Sequence, residues 1–144
     1  MKNLIIYINP KKKFEGENIP LVKIQIDNSL NLGWQRKDIL LVTNFAYEYN
    51  GVKSIVVESG NFCPFYPQGS KHNTILTLMN CDIIHGNEIY WFHDLDCYQE
   101  QPIEDEFETD MALSDYGRMA RWNTGSIWFR RSAEDIFKAL KEVM

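Results

Sequence analysis

The feature that most constrains the fold is a continuous apolar run near the start of the chain, Leu4 to Ile8, which ends at Asn9-Pro10. A strand covered on both faces is apolar throughout, whereas a strand with one face in water alternates apolar and polar residues. Proline then stops the strand, because it lacks the backbone N–H that a sheet ladder needs. The run therefore predicts a central strand, buried between two layers of other elements.

Strand-like and helix-like segments alternate along the rest of the chain. Pro20 fits the first turn of a helix, and apolar residues then recur at helical spacing as far as Gly33. Two further helices are predicted to begin at Ser70, as a cap, and at Ser132, which forms a capping box with Asp135. The remaining predicted strands cover residues 38–43, 52–57, 89–92, 111–113 and 126–129. This alternation indicates an α/β fold with a mostly parallel sheet in its first half.

Three local details complete this prediction. Asn50-Gly51 is a turn signal that precedes the third strand. Residues 114–125 are expected to form the loop between the last two strands. The last helix is expected to turn Ile136, Phe137 and Leu140 inward, because these residues recur at helical spacing.

Chain length and net charge limit the classes of protein to which this sequence can belong. The chain has 144 residues and a formal net charge of -5. This length suits one domain, so residues 1–144 are predicted to form a single unit. The acidic balance argues against binding to duplex nucleic acid, which needs clustered Lys and Arg, and the only basic cluster is Lys11 to Lys13. An exposed edge strand would favour a homodimer.

The N-terminus and the cysteines indicate the compartment. The first apolar run is too short for a signal peptide or a membrane span, so no membrane-spanning segment is expected. The cysteines, Cys63, Cys81 and Cys97, are widely spaced and contain no C-x-x-C pair. We therefore expect reduced thiols in a soluble, cytoplasmic protein.

The sharpest chemical feature is Asp94-Leu95-Asp96, directly after the predicted strand 89–92. In open α/β sheets ligands bind beyond the carboxyl ends of the strands. Two carboxylates on the same side of the chain repel one another unless a cation lies between them. Mg²⁺ and Mn²⁺ prefer such oxygen ligands and often share them with substrate phosphates. The alternative is an ordinary turn, where Asp is common.

Two segments carry a resemblance to a known family. Tyr90-Trp91-Phe92-His93-Asp94-Leu95-Asp96 and the later Trp122-Asn123-Thr124-Gly125-Ser126-Ile127-Trp128-Phe129-Arg130 resemble the nucleotide-sugar glycosyltransferases of the GT-A fold. In those enzymes a D-x-D pair holds a divalent metal against the donor diphosphate, and an N-[ST]-G segment leads into the next strand. The resemblance implies a GT-A-like, Rossmann-like α/β fold, with a mixed, mostly parallel sheet flanked by helices.

The same resemblance implies a function and a set of site residues. It implies transfer of a sugar from a UDP- or GDP-sugar to an unknown sugar, lipid or protein acceptor, with Mn²⁺ or Mg²⁺ bound by Asp94 and Asp96. The end of the first strand, Ile8 and Asn9, would border the nucleoside pocket, and Leu95 would lie between the two metal ligands. Enzymes of this fold usually have a longer C-terminal half that holds acceptor contacts.

Further charged residues are candidates for the donor phosphates and for catalysis. Lys71 lies at a predicted helix start, where backbone N–H groups and the helix dipole favour anions. Arg118 and Arg121, before Asn123, are further phosphate candidates, with solvated surface as the alternative for each. Asp115 is a candidate acceptor-side base, because an inverting transfer needs a carboxylate to take the hydroxyl proton. Its alternative is a turn aspartate.

The residues that flank the carboxylate pair have simpler interpretations. His93 is adjacent to Asp94, and adjacent strand residues point to opposite faces, so we expect a buried or hydrogen-bonded histidine. Cys97 is expected to be unreactive, since its charged neighbours are acidic. Two alternatives to the transferase remain: a non-catalytic module that binds nucleotide sugars, and a sugar nucleotidyltransferase. A D-x-D phosphatase is disfavoured, because its motif follows the first strand.

Overall fold

The computed structural model describes residues 1–103, 108–115 and 122–143, without the side chains of Asp115 and Trp122. Its strands are β1 (Lys2–Tyr7), β2 (Ile39–Thr43), β3 (Glu48–Tyr49), β4 (Val52–Lys53), β5 (Ile55–Val56), β6 (Tyr90–His93), β7 (Met111–Asp115) and β8 (Trp122–Phe129). Its α-helices are α1 (Asn18–Asn31), α2 (Ser70–Asn80) and α3 (Glu134–Glu142). The structure is therefore of the mixed α/β class that the sequence predicts.

Six strands form one sheet in the order β5-β2-β1-β6-β8-β7. β1 pairs in parallel with β2 and with β6, and β2 pairs in parallel with β5. β8 runs antiparallel to both of its neighbours, β6 and β7. The prediction of a central first strand and of a mostly parallel sheet in the first half is confirmed.

The apolar run of β1 serves both faces of this sheet. Leu4 packs with residues of α2 and α3, whereas the next residue, Ile5, packs with Val22 and Ile26 of α1. Leu4 and Ile5 are both fully buried. At about 25 cal/mol per Å² of apolar surface, burying each of these side chains contributes roughly 1.5–3 kcal/mol. Helices on both faces thus explain why the run does not alternate.

The strand predicted at residues 52–57 is wrong in one respect, because it is divided between two sheets. β4 pairs with β3 in a hairpin, and Asn50 and Gly51 at its turn both have positive φ, as a tight hairpin of this kind requires. β5 joins the main sheet beside β2. Ser54 lies between the two strands, and its hydroxyl accepts a hydrogen bond from the Tyr47 N–H.

Both predicted serine caps are wrong. α2 begins at Ser70 itself, and the Ser70 hydroxyl accepts a hydrogen bond from the Cys63 N–H, 2.9 Å away. α3 begins at Glu134, and the Ser132 hydroxyl donates to Asp110 instead. Each serine stands at the wrong position to cap, because Ser70 is already the first residue of α2 and Ser132 lies inside a 3-10 turn that precedes α3.

Two further expectations for the C-terminal part also need correction. The predicted loop 114–125 is too long, because β7 extends to Asp115 and β8 already begins at Trp122. The inward face of α3 contains the buried Phe137 and the partly buried Leu140, but Ile136 is exposed. Within the described ranges, no helix is long and apolar enough to cross a membrane.

Candidate functional site

The order of the strands defines a crevice between β1 and β6. From β1 the chain proceeds to β2 and β5 on one side, and it then crosses to β6 on the other side of β1. Ligands in open α/β sheets bind beyond the carboxyl ends of the strands at such a reversal. β1 ends at Tyr7 and β6 ends at His93, so Ile8 and Asp94 are the first residues beyond these two strands.

A cavity of about 500 Å³ lies at this crevice. Its lining includes Ile8, Pro67, Gln68, Lys71, Phe92 and Asp94. A second cavity, of about 310 Å³, shares Tyr7, Asn18, Gln68 and Asp94 with the first and adds Leu95 and Asp96. Volumes of this order suit small ligands and cofactors. The structure therefore brings the end of β1, the start of α2 and the D-x-D segment to one pair of adjoining cavities.

Lys71 and Asp94 form the charged centre of the site. The Lys71 Nζ lies 2.6 Å from the carbonyl oxygen of Thr124 and 3.3 Å from Asp94 Oδ1, and it stands 5.0 Å from the centre of the Phe92 ring. The Lys71 side chain is 9% exposed, whereas that of Asp94 is 43% exposed. A buried ammonium needs such oxygen partners, because removing a charge from water is costly. The site therefore contains a half-exposed carboxylate, that of Asp94, in contact with a buried ammonium group, that of Lys71.

Asp94 and Asp96 belong to a tight turn, which we call the D-x-D turn (residues 94–97). The Asp94 N–H donates to the carbonyl of Gly125, and the Cys97 N–H donates back to the Asp94 carbonyl at 3.1 Å. Leu95 is buried among residues of the α1 face, and Asp96 is exposed. Burying Leu95 fixes the direction of the turn, so that both carboxylates line the smaller cavity.

The N-T-G segment at the start of β8 supports Asp94 from the other side. The Gly125 N–H donates to Asn123 Oδ1 at 2.8 Å. A Cβ atom at position 125 would stand 2.9 Å from that oxygen and 3.0 Å from Asp94 Oδ2. Glycine at this position therefore leaves the space that the Asp94 carboxylate occupies.

The D-x-D turn is also held by α1, through a contact that the sequence prediction missed. The Gln25 Nε2 group donates to the carbonyl of Leu95 at 2.8 Å and also to the carbonyl of Cys97. Next to it on α1, Asn28 donates to the carbonyl of Gln99 at 2.9 Å. No local pattern reveals these bonds, because about seventy residues of chain separate the partners.

His93 takes part in a buried chain of hydrogen bonds behind the site. Its Nε2 lies 2.8 Å from Asn3 Oδ1, and Asn3 Nδ2 donates to the Ser29 hydroxyl, which donates to the carbonyl of Gln25. Burial lowers the pKa of His93 to about 4, so the imidazole is neutral at pH 7. His93 is therefore a buried, hydrogen-bonded residue, as the sequence analysis expected.

The structure describes only some of the other predicted site residues. Asn9 bonds to the Tyr7 hydroxyl and to the Lys11 N–H, so it holds the turn after β1. Asp115 ends β7, which points in the same direction as β6, so its backbone lies at the same edge of the sheet as the D-x-D turn. Arg118 and Arg121 lie outside the described residues.

Cys97 closes the D-x-D turn, and its environment is that of an unreactive thiol. Burial raises the pKa of Cys97, and the charges of Asp94 and Asp96 raise it further. A thiol becomes nucleophilic only as the thiolate, which these influences disfavour. The acidic surroundings that the sequence indicated are therefore present around this sulfur.

Two amides that the sequence did not predict line both cavities: Asn18 at the start of α1 and Gln68 before α2. Neither belongs to a recognisable motif. Among residues 1–103, 108–115 and 122–143, no group of three or more His, Cys, Asp and Glu side chains forms a metal cluster. Comparison of the chain with protein-family models, with curated proteins and with solved structures gives no match.

Proposed function

We propose that this protein is a metal-dependent glycosyltransferase that moves a sugar from a UDP- or GDP-sugar to an acceptor. The observation that carries the proposal is the position of the D-x-D turn. Asp94 and Asp96 line a cavity at the strand-order reversal of a mostly parallel sheet, with Lys71 in contact with Asp94. Nucleotide ligands bind at this place in sheets of this kind.

The donor set of the D-x-D turn fits Mg²⁺ or Mn²⁺. Both ions take hard oxygen ligands, and in phosphate-binding sites one or two carboxylates are enough, because water and phosphate oxygens complete the shell. Lys71 contacts Asp94 Oδ1, which leaves Oδ2 and the exposed Asp96 carboxylate as ligands. Such an ion would offset the charge that builds on the diphosphate leaving group as the glycosidic bond breaks.

The chain's own residues supply the rest of the anion site. Ser70 and Lys71, at the first turn of α2, line the larger cavity. The Ser70 N–H already donates to the carbonyl of Pro67, so the attraction for a phosphate comes from the Lys71 ammonium and the dipole of α2. We therefore propose that Lys71 and the start of α2 bind the donor diphosphate, and that Ile8, at the end of β1, borders the nucleoside.

We assign the acceptor side of the reaction from the position of one strand end. Asp115 stays our candidate base, because its backbone lies at the same edge of the sheet as the D-x-D turn. Arg118 and Arg121 stay candidates for phosphate binding. A cytoplasmic location belongs to the same proposal, since Cys63, Cys81 and Cys97 are all free thiols and thiols stay reduced in that compartment.

A second candidate function, a non-catalytic module that binds nucleotide sugars, is favoured by one contact. Lys71 neutralises Asp94 without any metal, so the site holds a built-in cation for a phosphate. The two functions differ in turnover. Release of free sugar from a UDP- or GDP-sugar in the presence of Mn²⁺ would identify an enzyme, whereas binding of the donor without release would favour the module.

The variant Asp96→Asn tests the proposed function. Asp96 is exposed, so the fold should be retained, while a metal ligand is lost. We expect titration calorimetry with Mn²⁺ to show UDP or GDP affinity at least tenfold weaker than in the wild type. Asp82→Asn is the matched control, because Asp82 is exposed and lines neither cavity. Unchanged nucleotide affinity in Asp96→Asn would contradict the proposal.

A further inference from the structure

A short loop at the rim of the larger cavity exposes two aromatic rings. We call residues 63–66 the Phe65 loop. The side chain of Phe65 is 99% exposed and that of Tyr66 is 46% exposed. The next two residues, Pro67 and Gln68, line the larger cavity. Two neighbouring exposed aromatic side chains beside residues that line a cavity are a candidate interaction surface.

The backbone of the Phe65 loop is hydrogen-bonded near both ends, whereas the Phe65 side chain at its tip is exposed. The Cys63 N–H donates to the Ser70 hydroxyl at 2.9 Å, and the Gly69 N–H donates to the Tyr66 carbonyl at 2.8 Å. Pro64 and Pro67 each restrict their own φ angle. The rings are thus presented by a backbone that is already ordered, and binding to them costs little further backbone entropy.

The chemistry around the Phe65 loop selects an uncharged, hydroxyl-rich ligand. Residues 59–70 contain no Asp, Glu, Lys or Arg. The polar side-chain groups within one to three residues of Phe65 include the Tyr66 hydroxyl and the Gln68 amide. A flat aromatic face stacks on the C–H face of a sugar ring, while neutral amides and hydroxyls bond to its hydroxyl groups. A membrane surface is less well matched, because such surfaces attract Lys and Arg beside the inserted aromatic residues.

We propose that the Phe65 loop is the acceptor platform and that the acceptor is a saccharide, whose ring stacks on Phe65 and Tyr66. This inference rests on the proposed function, in which the donor diphosphate binds at Lys71 and the D-x-D turn. The loop leads directly into α2, whose first turn contains Lys71. A sugar on the loop would therefore lie beside the cavity in which the donor is bound.

The test uses the double variant Phe65→Ala/Tyr66→Ala of the full chain. The probes are the methyl glycosides of glucose, galactose, mannose and N-acetylglucosamine, with binding measured by NMR both with and without UDP or GDP. We expect at least one glycoside to shift the ring resonances of Phe65 and Tyr66 in the wild type. The double variant should bind that glycoside about tenfold more weakly and should keep the wild-type nucleotide affinity. Ile24→Ala, at an exposed apolar residue that lines neither cavity, is the control.

The outcomes separate this inference from the proposed function. If no glycoside binds, or if the double variant binds glycosides as the wild type does, the acceptor platform is overturned, whatever the nucleotide result. If the double variant loses nucleotide affinity as well, the loop belongs to the donor site and the inference is also overturned. Sedimentation with phosphatidylcholine and phosphatidylserine vesicles that depends on Phe65 would identify a membrane contact instead. Glycoside binding that requires the two rings, with no nucleotide binding, would leave the platform standing and contradict only the donor site.

Discussion

The D-x-D turn lines the two cavities, and the Phe65 loop directly precedes Pro67 and Gln68, which also line them, but the two segments are built in different ways. Gln25 of α1 bonds to the turn from one side, and Gly125 of β8 bonds to it from the other. Leu95 anchors the turn in the core. Among the described residues, the Phe65 loop is hydrogen-bonded at Cys63 and at Tyr66, and the side chain at its tip, Phe65, is exposed. The charged groups of the D-x-D turn are therefore held by hydrogen bonds from two sides, whereas the aromatic side chains of the Phe65 loop are exposed to solvent.

This difference matches two kinds of recognition. Charged groups that stabilise a phosphate are effective only when they are held in place before the ligand arrives, since reorganising them costs free energy. An aromatic platform works through area and shape, so it tolerates a range of sugars. We therefore expect substitutions behind the D-x-D turn to lower stability and nucleotide affinity together, and substitutions in the Phe65 loop to change neither.

The largest effect on stability is expected from pH, through His72, which is buried on α2 next to Lys71. Burial, and to a lesser degree the charge of Lys71, lowers the pKa of His72 from 6.5 to about 4. Between these values the unfolded chain binds more protons, so stability is present above pH 6.5 and is lost as pH falls toward 4. The separation corresponds to roughly 3 kcal/mol.

Urea denaturation at several pH values measures this loss. In His72→Gln the decrease in unfolding free energy between about pH 7 and about pH 4 should be smaller than in the wild type. His85→Gln is the matched control, because His85 is exposed. Equal decreases in the wild type and in His72→Gln would show that His72 is not a buried neutral histidine.

A smaller loss is expected for Gln25→Leu, which removes the bonds from α1 to the D-x-D turn. The carbonyls of Leu95 and Cys97 lose their shared donor, and leaving buried carbonyls unpaired costs about 2 kcal/mol. Urea denaturation gives the stability, and calorimetry gives the affinity for UDP and GDP, which should fall as well. Gln35→Leu, at an exposed glutamine, should change neither. Full nucleotide affinity in Gln25→Leu would show that the turn does not need its support from α1.

The variant Gly125→Ala should cost less stability but should still weaken nucleotide binding. Its Cβ would press on Asn123 Oδ1 and on Asp94 Oδ2, so the carboxylate must shift. We expect a loss of about 1 kcal/mol in unfolding free energy and at least a tenfold loss of nucleotide affinity in Mn²⁺. Gly60→Ala is the matched control, because a Cβ added at position 60 would have nothing within 4 Å. Equal affinities for the two variants would contradict the role given to Asp94.

The smallest effect on stability is expected for the single variant Phe65→Ala. Phe65 is 99% exposed, so its removal loses little buried area, and the unfolding free energy should change by less than about 0.5 kcal/mol. Thermal and urea denaturation provide the measurement. A loss of several kcal/mol would mean that the Phe65 ring packs against the protein, and the contrast between loop and turn would then be wrong.

Local sequence patterns predicted the central strand, the first helix and the position of the D-x-D turn. The unbroken apolar run placed β1 at the centre of the sheet, and the helical spacing up to Gly33 anticipated α1. The strand before Asp94 was also predicted, so the D-x-D turn was placed at the carboxyl end of a strand from the sequence alone. These features depend on neighbouring residues, and a local pattern can therefore reveal them.

The features that local patterns did not predict depend on distant partners. The support that Gln25 gives to the D-x-D turn joins residues about seventy positions apart. The contact between Lys71 and Asp94 likewise joins α2 to the end of β6. Each of these becomes visible only when the sheet order brings the elements together.

The most direct test of the central claim is calorimetric titration of the wild-type protein with UDP and with GDP, first in Mn²⁺ and then in EDTA. We expect that one of the two nucleotides binds in Mn²⁺ and that its affinity falls at least tenfold in EDTA. Binding that is equally strong in EDTA would show that Lys71 and α2 hold the phosphate without a metal on Asp94 and Asp96. No binding of either nucleotide by the folded protein would contradict a donor site at the D-x-D turn.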